Sequence, residues 1–134
     1  IVIFIEGLQA ANVIFAGYIY GDDVTRLMLN CYCYIQPSDV EGLSPVILSV
    51  MGLGVPLIVS NIEENIYAVQ DTAILFNQSD ISSLTEKINF AEENCSTMKN
   101  LSKKAQQRAL TEFNWEKVTE DHIRLFKNNI GKDK

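Results

Sequence analysis

Short runs of β-branched and aromatic residues alternate with stretches of helical periodicity along most of this chain. Residues 13–17, 31–36, 56–60 and 73–76 each fit one strand, and the segments between them fit helices. Strands that alternate with helices form parallel sheets with right-handed crossovers. The pattern predicts an α/β fold: a doubly wound, Rossmann-like parallel sheet of about four or five strands. The apolar start at residues 1–5 indicates a further buried strand.

Residues typical of helix starts and ends lie between the predicted strands. Residues 22–29 carry Asp22 and Asp23 in a first turn, where acids suit the helix dipole. Ser44 fits an N-cap and Pro45 the first position of a helix that ends near Gly52 and Gly54. Another helix is predicted over residues 63–69, and further helices from Asp80 onward. These C-terminal helices are expected to pack on the sheet, with Trp115 and Phe126 in the core and His122 in a structural role.

The length of 134 residues fits one domain, predicted over residues 1–130, with a tail at 131–134. A chain that opens without Met in the middle of a strand pattern is typical of a fragment. Its apolar runs are too short to span a bilayer, and no secretory leader pattern is recognisable. Three cysteines without a CxxC pair favour buried thiols in a reducing compartment, so a cytoplasmic location is expected.

The net charge of −6 is unevenly spread. Residues 1–86 contain ten acidic residues and one basic residue, Arg26, whereas residues 87–134 contain seven acidic and ten basic residues. Nucleic-acid binding needs clustered Lys and Arg, and the basic residues of the C-terminal helices are interspersed with acids. The sequence therefore predicts no nucleic-acid partner.

The segment 37–45 carries the clearest chemistry, because ligands of parallel α/β sheets bind where strands end and helices begin. Gly42 lets a ligand approach the backbone, and the N–H groups around Leu43 and Ser44 precede a helix N-terminus that suits a phosphate. Glu41 can accept hydrogen bonds from sugar hydroxyls. Together these groups match a nucleotide-sugar, although a simple capped loop with a solvated Glu41 fits the same residues.

Several segments resemble the signature of family 4 retaining glycosyltransferases, also called glycosyl transferases group 1. The similar segments are 13–18, Pro37-Ser38, Glu41 to Leu48, 54–58, 60–65, 71–76 and 113–116. The resemblance extends from about residue 13 to residue 127 and implies the donor-binding C-terminal half of a GT-B fold. It also implies a nucleotide-sugar substrate, no metal and no other cofactor. Activity would then require an N-terminal domain, and the chain alone would be inactive.

The resemblance also implies roles for particular residues. Glu41 would contact the donor sugar, and the backbone of Gly42, Leu43 and Ser44 would lie at the sugar and diphosphate. Gly17 and Tyr18 would lie near the nucleobase, and Ser49 stands where the family usually has a ribose-binding glutamate. No catalytic nucleophile is assigned. The acceptor would be a glycan, a lipid or a protein, which leaves peripheral membrane association of the full-length protein open.

Two departures keep other functions open. Serine replaces the second glutamate at Ser49, and Tyr67 stands where the family often has Glu. The family's diphosphate-binding Arg and Lys lie before the region covered by this chain. An alternative is therefore a degenerate, non-catalytic domain that stabilises a partner protein. A flavodoxin-like signalling module is less favoured, because such a domain has no need of the Glu41–Pro45 loop.

Overall fold

The computed structural model describes residues 13–130 of the chain. Its elements are helix α1 (Asp22–Asn30), strand β1 (Tyr34–Gln36), helix α2 (Pro45–Gly52), strand β2 (Leu57–Ser60), helix α3 (Glu63–Val69), strand β3 (Ile74–Phe76), and helices α4 (Ile81–Glu93), α5 (Cys95–Glu112) and α6 (Trp115–Asn129). The predicted α/β class is confirmed. The predicted strand at residues 1–5 lies outside the described residues.

The three strands of the described region form one parallel sheet in the order β1-β2-β3. Gln36 is opposite Val59, and Ser60 is opposite Phe76, at the carboxyl ends of the strands. All three strands therefore end at the same edge of the sheet, which brings the loops that follow them together. The described sheet has fewer strands than the four or five expected.

Helices cover both faces of the sheet. Every residue of the central strand β2 is buried. Leu57 and Val59 pack into a cluster with residues of α2, α3 and α5, whereas Ile58 faces a second cluster that includes Ala91 of α4 and Met98 of α5. Burial of one such aliphatic side chain stabilises the fold by roughly 1.5–3 kcal/mol. This two-sided arrangement confirms the doubly wound, Rossmann-like architecture.

Helix α2 begins and ends where its sequence signals predict. The Ser44 side chain accepts a hydrogen bond from the Ile47 N–H at 3.5 Å, and Pro45 occupies the first turn. Gly54 follows the helix with a φ of 71°, a conformation that residues with a Cβ rarely adopt. These local signals fix the orientation of the loop that enters α2.

The prediction of a strand at residues 13–17 is wrong. These residues form no regular element, and Ile14 is 91% exposed. A strand needs a partner for its ladder of hydrogen bonds, and none pairs with this run within residues 13–130. Strand β1 also begins at Tyr34 rather than Cys31, because the Cys31 N–H still donates to the Met28 carbonyl at the end of α1.

The expectation that Trp115 and Phe126 belong to the core is also wrong. Both lie on α6 and are 82% and 61% exposed, and α6 contributes no buried residue. Helical periodicity predicts an apolar face but does not say what covers it. His122 is exposed as well, with Nδ1 2.7 Å from the Val118 carbonyl of its own helix. No helix in the described range is long and apolar enough to cross a membrane.

Candidate ligand-binding site

Hydrogen bonds from residues at the ends of β2 and β3 hold the loop that carries Glu41 at the carboxyl edge of the sheet. The buried Ser60 at the end of β2 donates from Oγ to the Ser38 carbonyl at 2.6 Å. Gln78, which follows β3, donates from Nε2 to the Asp39 carbonyl at 2.8 Å. These bonds hold the first half of the loop to the ends of two adjacent strands, so that Glu41 projects from a supported backbone.

The Glu41 carboxylate is half-buried and accepts two hydrogen bonds on one oxygen. Gln36 Nε2 donates to Oε1 at 2.8 Å, and Ser38 Oγ donates to the same atom at 2.7 Å. Within the described part of the chain, Oε2 has no hydrogen-bond partner. Glu41 therefore retains one oxygen that can accept hydrogen bonds from a ligand.

Tyr34 supports this arrangement from the same strand. Its hydroxyl donates to Gln36 Oε1 at 2.7 Å. Burial, with a smaller contribution from the negative charge of Glu41, raises the pKa of Tyr34 to about 12. The phenol therefore keeps its proton and remains a donor at physiological pH. The sequence interpretation missed both Tyr34 and Gln36; the polar residues spaced by two at the end of β1 were the available signal.

Open backbone lies beside this carboxylate. Gly42 is exposed, and a Cβ built on it would meet no atom within 4 Å. No acceptor among residues 13–130 pairs with the backbone N–H groups of Gly42, Leu43 or Ser44. Free donors next to a helix N-terminus favour an anion. Glu41 and the three residues that follow it thus lie in one loop at the carboxyl edge of the sheet, and their contact with a donor sugar and diphosphate stays a prediction.

Ser49 lies one turn further along α2. It is exposed, and its Oγ donates to the Pro45 carbonyl at 2.8 Å. A carboxylate at this position would be solvated rather than buried against the sheet. The Ser49 hydroxyl bonds to its own helix, so it offers a ligand less than the family's glutamate would.

Gly17 and Tyr18 form a separate feature. Gly17 has a φ of 64°, and Tyr18 is 70% exposed with its ring stacked on Tyr20 at a centroid distance of 6.0 Å. No hydrogen bond within the described range links either residue to the Glu41 loop. Their proposed proximity to a nucleobase therefore stays a prediction.

A shallow cleft of about 250 Å³ lies next to Leu43. It is lined by Leu43, Glu63, Glu64 and Tyr67. Carboxylates repel phosphate and accept hydrogen bonds from hydroxyls, so this cleft suits a polyhydroxylated group better than a diphosphate. A diphosphate is consequently better placed on the backbone N–H groups than in the cleft.

Arg108 of α5 and Phe113, which directly follows α5, both contact Tyr67. Arg108 donates to the Ala68 carbonyl at 2.8 Å and to the Tyr67 carbonyl at 2.9 Å. The Phe113 ring meets the Tyr67 ring edge-on at a centroid distance of 6.3 Å, and the Arg108 guanidinium lies over Phe113. These contacts restrain Tyr67, which is 62% exposed and is one of the residues that line the cleft.

A parallel sheet covered on both faces, with a carboxylate and free amides at its carboxyl edge, defines a Rossmann-like ligand-binding domain. Residues 5–108 match the family described as glycosyl transferases group 1. The chain belongs to this family, and its domain corresponds to one half of a GT-B fold.

Several known proteins are similar to this chain. O-antigen chain mannosyltransferase B of Escherichia coli is 24% identical over 122 residues, covering 91% of this chain and 32% of that protein. Sucrose-phosphate synthase from Thermosynechococcus elongatus superposes with a TM-score of 0.79 at 22% identity, covering 88% of this chain and 30% of that one. HepE from Anabaena, in complex with UDP, gives a TM-score of 0.74 at 19% identity, covering 79% and 30%. The chain thus spans about a third of the length of these proteins.

Proposed function

We propose that this chain is the donor-binding half of a retaining glycosyltransferase that transfers a sugar from a nucleotide-sugar to an acceptor. The observation that carries the proposal is the Glu41 carboxylate, held by two donors on one oxygen and placed beside the open backbone of Gly42. An acceptor for hydroxyls next to donors for an anion matches the two parts of a nucleotide-sugar.

Each group would have a distinct task. Glu41 Oε2 would accept hydrogen bonds from hydroxyls of the donor sugar and fix the orientation of the ring. The N–H groups of Gly42, Leu43 and Ser44 would stabilise the charge that develops on the departing diphosphate. An exposed helix N-terminus contributes only about 1 kcal/mol. Basic residues from protein beyond this chain would therefore be required, and this chain alone would not transfer sugar.

The relatives support the donor class. HepE was solved with UDP and with UDP-glucose, and the Escherichia coli relative is a mannosyltransferase. The proposal includes no metal ion and no other cofactor for this chain. The acceptor would be a glycan, a lipid or a protein, and the reaction would take place in the cytoplasm, with the full-length protein either free or attached peripherally to a membrane.

A thermal-stabilisation screen of the full-length protein against nucleotide-sugars tests this function. Uridine, guanosine and adenosine diphosphate sugars would be compared with the matching free sugars and with buffer. We expect at least one nucleotide-sugar to raise the melting temperature while the free sugars do not. A folded protein that responds to none of the nucleotide-sugars would contradict the proposal.

A second candidate is a non-catalytic domain of the same family that stabilises a partner protein. The exposed Ser49, in the place of the family's ribose-binding glutamate, favours this alternative. The presence of only one basic residue among the first 86 positions also favours a non-catalytic domain. Binding of a nucleotide-sugar without turnover by the full-length protein would favour it over the enzyme.

A further inference from the structure

We propose that Gln36 is a positioning residue for the donor sugar: its amide orients the Glu41 carboxylate, and Tyr34 orients the amide. Neither residue belongs to the motifs that carry the family resemblance. The inference rests on the proposed function, because it assigns these residues a task in presenting Glu41 to a nucleotide-sugar.

The hydrogen bonds allow the Gln36 amide only one productive orientation. Gln36 Nε2 donates to Glu41 Oε1 at 2.8 Å, while Gln36 Oε1 accepts from the Tyr34 hydroxyl at 2.7 Å. A flipped amide would set its oxygen against the carboxylate of Glu41, which accepts hydrogen bonds but cannot donate one. The Tyr34 hydroxyl, which donates to the amide oxygen, restrains Gln36 in the orientation that presents a donor to Glu41.

The same amide reaches the second donor of Glu41. Gln36 Nε2 also lies 3.0 Å from Ser38 Oγ, and Ser38 Oγ donates to Glu41 Oε1 at 2.7 Å. Two donors that converge on one oxygen, each in a charge-assisted bond, restrict rotation of the carboxylate. They therefore leave Oε2 as the oxygen that faces a ligand.

The contribution of Gln36 to folding is separable from this task. Its backbone pairs with Val59 in the sheet, and any residue other than proline keeps that pairing. Its side chain is half-buried, whereas the neighbouring Ile35 packs against one of the two core clusters. Gln36→Leu should therefore retain the fold and remove the contact with Glu41.

The test compares two ligands across a small set of variants of the full-length protein. Calorimetry would measure binding of the nucleotide-sugar that most stabilises the wild type, and of the nucleoside diphosphate alone. The variants are Gln36→Leu, Tyr34→Phe, Glu41→Gln and Gln36→Leu combined with Glu41→Gln. Tyr32→Phe is the matched control, because its hydroxyl also makes a hydrogen bond, to the Ala91 carbonyl, but does not contact Gln36 or Glu41.

We expect Gln36→Leu to weaken nucleotide-sugar binding about tenfold, as loss of a bond to a charged group predicts. Tyr34→Phe should weaken it less, and Tyr32→Phe should leave it unchanged. Affinity for the nucleoside diphosphate should stay the same throughout, because Glu41 acts on the sugar. The double variant should bind no more weakly than Glu41→Gln alone, since Gln36 acts through Glu41.

Three results would overturn this inference without contradicting the proposed function. They are unchanged nucleotide-sugar binding by Gln36→Leu, an equal loss of affinity for both ligands, or additive losses of affinity in the double variant. If Gln36→Leu does not fold, the same criteria apply to Tyr34→Phe. A wild-type protein that binds no nucleotide-sugar would overturn the proposed function, and this inference with it.

Discussion

Gln36 Nε2 donates a hydrogen bond to Glu41 Oε1 at 2.8 Å, although Gln36 ends a strand and Glu41 lies in the loop five residues later. The bond turns the loop back onto the end of β1 and ties the carboxylate to the sheet edge. Glu41 is thereby held as an oriented hydrogen-bond acceptor beside the open backbone at Gly42.

Gly42→Ala should weaken nucleotide-sugar binding while leaving the fold intact. An added Cβ meets no protein atom within 4 Å, so a loss of affinity would report contact with a ligand. We expect a decrease of about tenfold in affinity by calorimetry, equivalent to about 1.4 kcal/mol. Gly52→Ala is the matched control, because its Cβ also enters open space but at the far end of α2. Equal binding by wild type and Gly42→Ala would place the ligand elsewhere.

Ser49→Glu should tighten nucleotide-sugar binding by up to about tenfold, because a carboxylate one turn after Pro45 can accept ribose hydroxyl bonds. Ser49 is exposed, so the added charge remains solvated and the melting temperature should change little. Ser82→Glu, an exposed serine on α4, controls for the extra negative charge. Unchanged or weaker binding by a folded Ser49→Glu protein would show that the ribose is held by another residue.

Ser60→Ala should destabilise the protein by roughly 1–3 kcal/mol in urea unfolding. Ser60 is 1% exposed, donates to the Ser38 carbonyl and accepts from Asn65 Nδ2 at 3.0 Å, so the substitution removes two hydrogen bonds at a buried position. Ser96→Ala, at an exposed serine in the first turn of α5, should change the stability by less than about 0.5 kcal/mol. A loss no larger than this for Ser60→Ala would show that the Glu41 loop is held without this bond.

Tyr34 makes stability sensitive to alkaline pH. Its pKa is raised from 10.0 to about 12, chiefly by burial, so the unfolded chain releases the phenol proton at lower pH than the folded protein does. The stabilisation is complete below pH 10 and is lost as pH rises toward about 12. Urea unfolding at several alkaline pH values should show a shallower decline for Tyr34→Phe than for wild type. The pKa of Tyr32 is also raised to about 12, by its hydrogen bond to Cys95. Tyr32 is present in both proteins, so its contribution to the pH dependence of stability is the same in each. Identical declines would indicate that the Tyr34 phenol ionises as readily in the folded protein as in the unfolded chain.

The sequence predicts the elements whose signals are local. The cap at Ser44, the proline at Pro45 and the glycine at Gly54 define α2 because each acts within one helical turn. The burial of β2 on both faces follows from its continuous apolar run. The position of the Glu41 loop then follows from the parallel sheet.

The sequence does not predict features that depend on distant partners. The run at residues 13–17 has the composition of a strand, but composition does not supply the neighbour that a ladder requires. The apolar periodicity of α6 likewise does not determine whether Trp115 is covered. The roles of Tyr34 and Gln36 depend on side-chain orientations at the end of β1, which residue identity alone does not fix.

Glycosyl transfer by the full-length protein tests the central claim most directly. The assay would follow release of nucleoside diphosphate from the nucleotide-sugar that binds best, with the anomeric configuration of the sugar product read by proton NMR. The account predicts turnover with retained configuration, and a rate roughly ten- to a hundredfold lower for Glu41→Gln, because hydrogen bonds to a charged group contribute about 1.5–3 kcal/mol. Glu93→Gln, an exposed acid on α4, should match the wild type. An inverted product, or equal rates for wild type and Glu41→Gln, would contradict the account.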